Sequence, residues 1–250
     1  LLHFNPGAYN NWLIRLDTID STNNYAMQLL QDGMAQSGTV VSAKFQSAGK
    51  GQRGKLWSSS PGQNVAMSLI LADMQHMDMF RMAFLVPVSV RQVLQSFMPE
   101  CQVLIKWPND IYVNDRKICG ILIENVFRGS SLKSAVIGIG INVNQSDFGL
   151  PDKKVPTSLL LETGRTYVPE EIIAAVRAAV LDGLERSSDD LRQEYNRFLW
   201  KQDTAVRLGM TASGESFQGA VQEVNADFEL VVKRNDGALC RFSFGSVQWL

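Results

Sequence analysis

The stretch Ser134-Ala135-Val136-Ile137-Gly138-Ile139-Gly140-Ile141-Asn142-Val143-Asn144 is apolar up to its closing asparagines. A run of that kind has no polar face to offer water, so it belongs to a central strand covered on both sides, with its far end opening toward a site. The neighbouring pattern supplies the rest of a sheet. Trp12–Leu16, Val40–Phe45, Asn64–Leu71 and Val103–Trp107 read as strands. Ile111-Tyr112-Val113 turns through Asn114-Asp115-Arg116 into the apolar return strand Lys117–Glu124, which predicts a hairpin. Between them, Asp20-Ser21-Thr22-Asn23 offers capping side chains ahead of Ala26, Leu29 and Leu30 at helical spacing, and Gly33 closes that helix. The apolar segment Met79–Met98 predicts a longer helix over one sheet face, with Pro87 as a kink or first-turn residue.

Beyond a proline-bearing loop at Pro151 and Pro156, helices are expected over Pro169–Arg186 and Asp189–Trp200. The pattern then changes to short strands, Thr204–Leu208, Ser216–Val224, Phe228–Lys233 and Leu239–Phe244, with the turn spacing of a small β-barrel. The boundary falls near Lys201, giving a domain over 1–202 and a β-domain over 203–250. With 250 residues and 45% hydrophobic content the chain can bury a substantial core.

Lys and Arg number 24 against 25 Asp and Glu, so no global basic field marks a nucleic-acid binder. Cys101, Cys119 and Cys240 form no C-x-x-C pair, which argues against a disulfide framework or structural zinc and favours a reducing, cytoplasmic setting. No apolar run approaches the roughly 20 residues of a membrane span, and Leu1-Leu2-His3-Phe4 is not the start of a signal peptide. His3 and His76 have no neighbours at ligand spacing, so histidine catalysis and metal binding are not expected.

Chemistry concentrates in two segments. Gly49-Lys50-Gly51-Gln52-Arg53-Gly54-Lys55-Leu56-Trp57 joins glycines, which let backbone N–H groups approach a ligand, to cations suited to phosphates. It matches neither the Walker nor the dinucleotide pattern, and a basic surface loop is the plain alternative. Lys106-Trp107-Pro108-Asn109-Asp110 places a cation, an amide and a carboxylate on one rigid bend, or is simply a capped turn. Lys117 opens an otherwise apolar strand, either solvated beside Arg116 or turned toward an anion. Asn142 and Asn144 are open between strand terminators and ligand groups. Together these groups suit positioning and charge stabilisation, as in ATP-driven activation of a carboxylate, rather than covalent catalysis.

The order and spacing of Asp20–Asn23, Gly49–Trp57, Lys106–Asp110, Lys117–Glu124 and Gly138–Asn144 resemble a biotin protein ligase over about residues 10–200. That resemblance implies an α+β fold, a mixed sheet flanked by helices of the class II synthetase-like kind, with an SH3-like C-terminal β-barrel. It implies formation of biotinyl-5′-AMP from biotin and ATP with Mg²⁺, then transfer to a lysine of a biotin carboxyl carrier domain. Ser21, Thr22, Asn23 and Gln46 would line the biotin pocket. Gly49, Lys50, Gly51, Gln52 and Arg53 would fold over the ligands, and Trp57 would build the nucleotide site. Lys117 would contact the carboxylate and phosphate over Gly120, with Asp110 orienting or deprotonating the carrier lysine and Lys55 also acting on the reaction. Lys106, Asn109 on the metal–phosphate side and Asn142 complete the nucleotide side. Many relatives carry arginine where this chain has Lys50 and Gln52. Only about ten residues precede the first strand, which leaves no room for a helix-turn-helix domain and no expected repressor activity. Relatives dimerise through sheet edges, and monomer and dimer are both open here. Lipoate or octanoyl ligases of the same fold, and a biotin sensor without transfer activity, are the alternatives.

Overall fold

The computed structural model describes residues 12–74, 77–78, 80–129, 131–149 and 156–250. His3, His76, Met79, Pro151 and the segment ahead of Trp12 lie outside them. Seven strands form the first sheet: β1 Leu13–Ile19, β2 Val40–Gln46, β3 Val65–Ala72, β4 Val103–Lys106, β5 Asp110–Val113, β6 Arg116–Arg128 and β7 Ser131–Ile141. Their order is β1-β2-β3-β7-β6-β5-β4, with β1 and β2 parallel and every other neighbour antiparallel. The fold is therefore α+β with a mixed sheet. The apolar run does occupy the centre, as β7 between β3 and β6, but the strand ends at Ile141 and the asparagines follow it.

One sheet face carries the larger core. Met67, Leu69, Leu71, Ile121, Ile137, Ile139 and Ile141 pack there with helices α2 (Arg81–Phe97), α4 (Pro169–Asp182) and α5 (Ser188–Arg197). Each such side chain contributes roughly 1.5–3 kcal/mol on burial. Helix α2 continues through Pro87, which is buried in its interior rather than in its first turn. The short helix α3, Leu159–Thr163, went unseen in the pattern; the Ser158 side chain caps it by accepting from Leu161 N, and left-handed Gly164 ends it. On the opposite face α1 (Thr22–Gln31) covers Val41, Ile70 and Val136 through Ala26 and Leu29.

That second face is only partly covered. Along register, Ile70, Ser68 and Ala66 of β3 lie beside Val136, Gly138 and Gly140 of β7, which lie beside Glu124, Leu122 and Gly120 of β6. Side chains shrink from Ile70 and Val136 under the helix to Ala66, Gly140 and Gly120 beyond it, so the sheet itself forms a trough.

Strands β8 Ala205–Met210, β9 Ser216–Val224, β10 Leu230–Arg234, β11 Leu239–Phe242 and β12 Val247–Trp249 make a second, antiparallel sheet in the order β11-β10-β9-β8-β12. Phe228, just before β10, inserts between Phe84, Tyr195 and Trp107 of the first unit. Trp107 Nε1 donates to Phe228 O, and Trp249 Nε1 donates to Trp107 O.

Candidate active site

The trough opens into a cleft of about 1180 Å³ lined by both sheets and by the glycine loop. At its inner end, extended Ser21 leads into α1, and Ser21, Thr22 and Asn23 are all buried. Thr22 N and Oγ1 both donate to Gln46 Oε1, at 2.8 and 3.1 Å. Ser68 Oγ bonds Asn23 Oδ1 and lies 2.8 Å from Thr22 Oγ1, while Asn23 Nδ2 donates to Glu124 Oε2 at 2.7 Å. The Asn23 amide is thus held from both ends. Among the described residues, Gln46 Nε2 and the Ser21 hydroxyl keep unspent hydrogen-bonding capacity. A Cβ at Gly138 would strike Asn23 Oδ1, so glycine is required for the strand to approach this cluster.

The glycine loop is a small hairpin across the cleft. Gly51 N donates to Lys55 O at 2.7 Å and Trp57 N to Gly49 O at 2.8 Å, with a 3₁₀ turn over Gln52–Gly54. Trp57 lies over Gly140 and Gly120, and its indole Nε1 is buried with no hydrogen-bond partner among the described residues. Lys50 Nζ is 4.0 Å from Glu124 Oε1. Gln52 and Lys55 line the cleft. Arg53 is engaged at the mouth, where Nη2 donates to Gly245 O and the guanidinium lies over the Phe244 ring.

The Lys106–Asp110 bend joins β4 to β5, and its Trp107–Pro108 peptide is cis. Asn109 fastens the bend to β6: Nδ2 donates to Ile121 O at 2.7 Å, and Asn109 O accepts from Ile121 N. Lys117 Nζ reaches Asp110 Oδ1 at 2.6 Å. A β-bulge makes this possible. Register slips between Ile111 and Tyr112, so Tyr112 faces Lys117 instead of Ile118, and Lys117 joins the face of Asp110 and Gly120. Without the bulge, strand alternation would place Lys117 with Cys119 and Ile121 in the helix-packed core. A Cβ at Gly120 would come 3.2 Å from Lys117 Nζ and 3.1 Å from the Trp57 ring.

Lys106 lies in an aromatic wall that the sequence pattern did not reveal. Its Nζ is 4.5 Å from the Tyr112 ring centroid, 4.6 Å from Trp200 and 5.6 Å from Trp249, and it donates to Tyr112 Oη at 3.0 Å. Burial first, then the Asp110 and Asp115 carboxylates, push the Tyr112 phenol up to about 12. The unfolded phenol ionises near 10, so this group's share of stability is intact below that pH and is lost as pH climbs toward 12. Tyr112→Phe is expected to delete one phenol ionising near pH 12 from the ultraviolet titration. An unchanged titration would assign that ionisation elsewhere.

Two expected contacts are placed differently. Asn142 is buried behind the cleft wall, where Nδ2 donates to Thr157 O at 2.9 Å and ties the end of β7 to the segment before α3. Gly49 is buried beneath the loop, close against Trp57 O and Gln46 Nε2, and does not line the cleft. Conversely, Ser68, Glu124, Tyr112, Trp200, Trp249, Phe244 and Gly245 take part in the site although the sequence reading assigned them no role in it. Their only visible signals were aromatic residues near strand ends and the glutamate closing Lys117–Glu124. A shallow depression lined by Gln92, Gln95, Glu100 and Cys101 shares no residue with the cleft.

Residues 16–142 match the family described as the Biotin/lipoate A/B protein ligase family. The chain belongs to that family. It is 32% identical over 232 residues to the bifunctional ligase/repressor BirA of Bacillus subtilis, covering 90% of this chain and 70% of that protein. Against its Bacillus spizizenii counterpart it is 39% identical over 155 residues, 61% of this chain and about half, 47%, of the relative's length. A biotin protein ligase from Aquifex aeolicus, solved in complex with biotin and ATP, shares the fold with a TM-score of 0.78 at 23% identity, over 95% of this chain and 98% of that one. In this family member the five segments that carried the resemblance meet at one cleft.

Proposed function

We propose that the chain is an ATP-dependent biotin protein ligase, and one observation carries the choice of acid. The inner end of the cleft is a buried polar cluster with Gln46 Nε2 and the Ser21 hydroxyl still available. A cyclic urea carries a carbonyl acceptor and two N–H donors that match it. A lipoyl dithiolane or an octanoyl terminus offers none of these and would leave the cluster unpaired, a mismatch that sites of this kind reject strongly. The glycine trough then takes the apolar body of biotin and leads its carboxylate toward Lys117.

In the first half-reaction a biotin carboxylate oxygen attacks the α-phosphorus, the new P–O bond forms, the α–β phosphoanhydride breaks and pyrophosphate leaves. Lys117 supplies positive charge where carboxylate and phosphate meet, and Lys50, Lys55 and Lys106 bring further cations to the same cleft. The buried, unpartnered Trp57 indole N–H is a donor awaiting a ligand acceptor. Mg²⁺ would neutralise the phosphates as they separate. No group of three or more His, Cys, Asp or Glu able to hold a metal is found among the described residues, so the ion would come with ATP, with the Asn109 carboxamide oxygen as the protein's contribution.

In the second half-reaction the lysine amine of a carrier domain attacks the acyl carbon, the C–N bond forms, the C–O bond to AMP breaks and a proton leaves the nitrogen. Asp110 would orient that amine and take the proton, a role supported by its position in the cleft lining beside Lys117. We further infer a catalytic domain over 1–202 and a docked β-domain over 203–250, supported by their separate sheets. A cytoplasmic setting agrees with three free cysteines, and no helix among the described residues is long and apolar enough to cross a membrane.

The deciding experiment measures pyrophosphate release with biotin or lipoate in the presence of ATP, followed by labelling of a carrier domain. Biotin-dependent release and labelling are expected; release with lipoate alone, or biotin binding without release, would overturn the reading. Gln52 lines the cleft where a cation would strengthen retention of an anionic adenylate. Gln52→Arg is therefore expected to slow escape of biotinyl-AMP, by about threefold to tenfold if the new pair is worth 0.7–1.4 kcal/mol. An unchanged dissociation rate would remove Gln52 from that role.

A further inference from the structure

Arg53 sits at the tip of the glycine hairpin with left-handed backbone, φ 56° and ψ 39°. It is the only non-glycine residue of the 49–57 loop in that region, and glycine would take the conformation without steric cost. Glycines already occupy positions 49, 51 and 54 of the same loop. A side chain retained at the one strained position needs a reason, and the structure supplies it. The guanidinium crosses the cleft mouth, donates to Gly245 O and lies 5.7 Å from the Phe244 ring centroid. Gly245 is itself left-handed, φ 88°, and the volume a Cβ would need there is filled by the guanidinium. The receiving turn is braced independently, with Ser246 N and Oγ both donating to Ser243 O at 3.0 and 2.8 Å. The loop's own bonds from Gly51 to Lys55 and from Trp57 to Gly49 make the hairpin a single body. Its tip is therefore fastened to the C-terminal sheet.

We propose that Arg53 is a positioning residue, a latch through which the β11–β12 turn of the C-terminal sheet holds the glycine hairpin closed over the cleft. On the acyl-adenylate reading above, the residence time of the intermediate then depends on Phe244 and Gly245, which lie on the other sheet, as well as on the loop's cations. The same geometry gives the C-terminal sheet a share in protecting the mixed anhydride from water.

Two readouts separate the latch from the ligase reading. In ligand-free protein, Phe244→Ala is expected to speed tryptic cleavage after Lys50 and Lys55 about threefold to fivefold, the loss of one cation–π contact, and Phe244→Trp to restore protection. With biotinyl-AMP preformed on the enzyme, Arg53→Ala is expected to accelerate its escape about tenfold, since a charge-assisted hydrogen bond is lost as well. The Arg53→Ala, Phe244→Ala pair should escape no faster than Arg53→Ala alone. Unchanged cleavage in Phe244→Ala, or additive effects in the pair, would overturn the latch. Wild-type protein that forms no adenylate would defeat the ligase reading, while the cleavage assay still decides the latch.

Discussion

Lys117→Ala is expected to slow biotin-dependent pyrophosphate release by about 10²–10³-fold, the usual consequence of removing one preorganised group aimed at developing charge. The magnitude follows from position. Lys117 Nζ lies 2.6 Å from Asp110 and beside Gly120, on the strand face that the bulge turns into the cleft. No reorganisation is needed when carboxylate and phosphate meet there. Truncation also leaves Asp110 without its cation, which is why a second variant is informative. Asp110→Asn keeps the shape and hydrogen-bonding size of the side chain but cannot accept the carrier proton. It should spare the first half-reaction more than the transfer of preformed biotinyl-AMP. Single-turnover measurements of each step, with thermal unfolding as the folding control, separate the outcomes. Near-normal pyrophosphate release by folded Lys117→Ala would remove Lys117 from the chemistry.

The elements most legible in the sequence were those whose residues face one environment throughout. The apolar run ending at Ile141 and the Val40 and Asn64 strands fell where hydrophobic continuity placed them. Less legible was anything set by register. Lys117 at the head of an apolar strand left solvent and pocket equally open, because only the bulge opposite Ile111 and Tyr112 decides its face. Asn142 is a second open case: an amide after a central strand reads equally as a strand terminator or a ligand group, and only the tertiary contact of its Nδ2 with Thr157 O shows it bracing the end of β7. Contacts between the two sheets lay furthest from view. Nothing local in Lys106-Trp107-Pro108-Asn109-Asp110 announces that Trp107 bonds Phe228 and Trp249, or that Lys106 lies beside Trp200. The site chemistry was therefore readable as segments, while the wall joining them depended on how distant parts of the chain meet.

Gly138→Ala is expected to weaken biotin binding by about 5–150-fold, the range that corresponds to 1–3 kcal/mol of overpacking. The added methyl would meet the Asn23 carboxamide. That amide cannot simply turn away, because Oδ1 is bonded to Ser68 and Nδ2 to Glu124, and Asn23 is buried on the first turn of α1. Nor can β7 yield easily, since Gly138 is paired on one side with Ser68 and on the other with Leu122 in the middle of the sheet. The least costly response is displacement of α1's first turn, which carries Ser21 and Thr22 with it and alters the spacing to Gln46. Biotin affinity should therefore fall while ATP affinity, dependent on groups nearer Lys106 and Asn109, changes little. Calorimetry with each ligand separately checks this. Equal losses for both would point to general disruption of the sheet, and an unchanged biotin affinity would mean that the Ser21–Asn23 turn does not hold the ureido end.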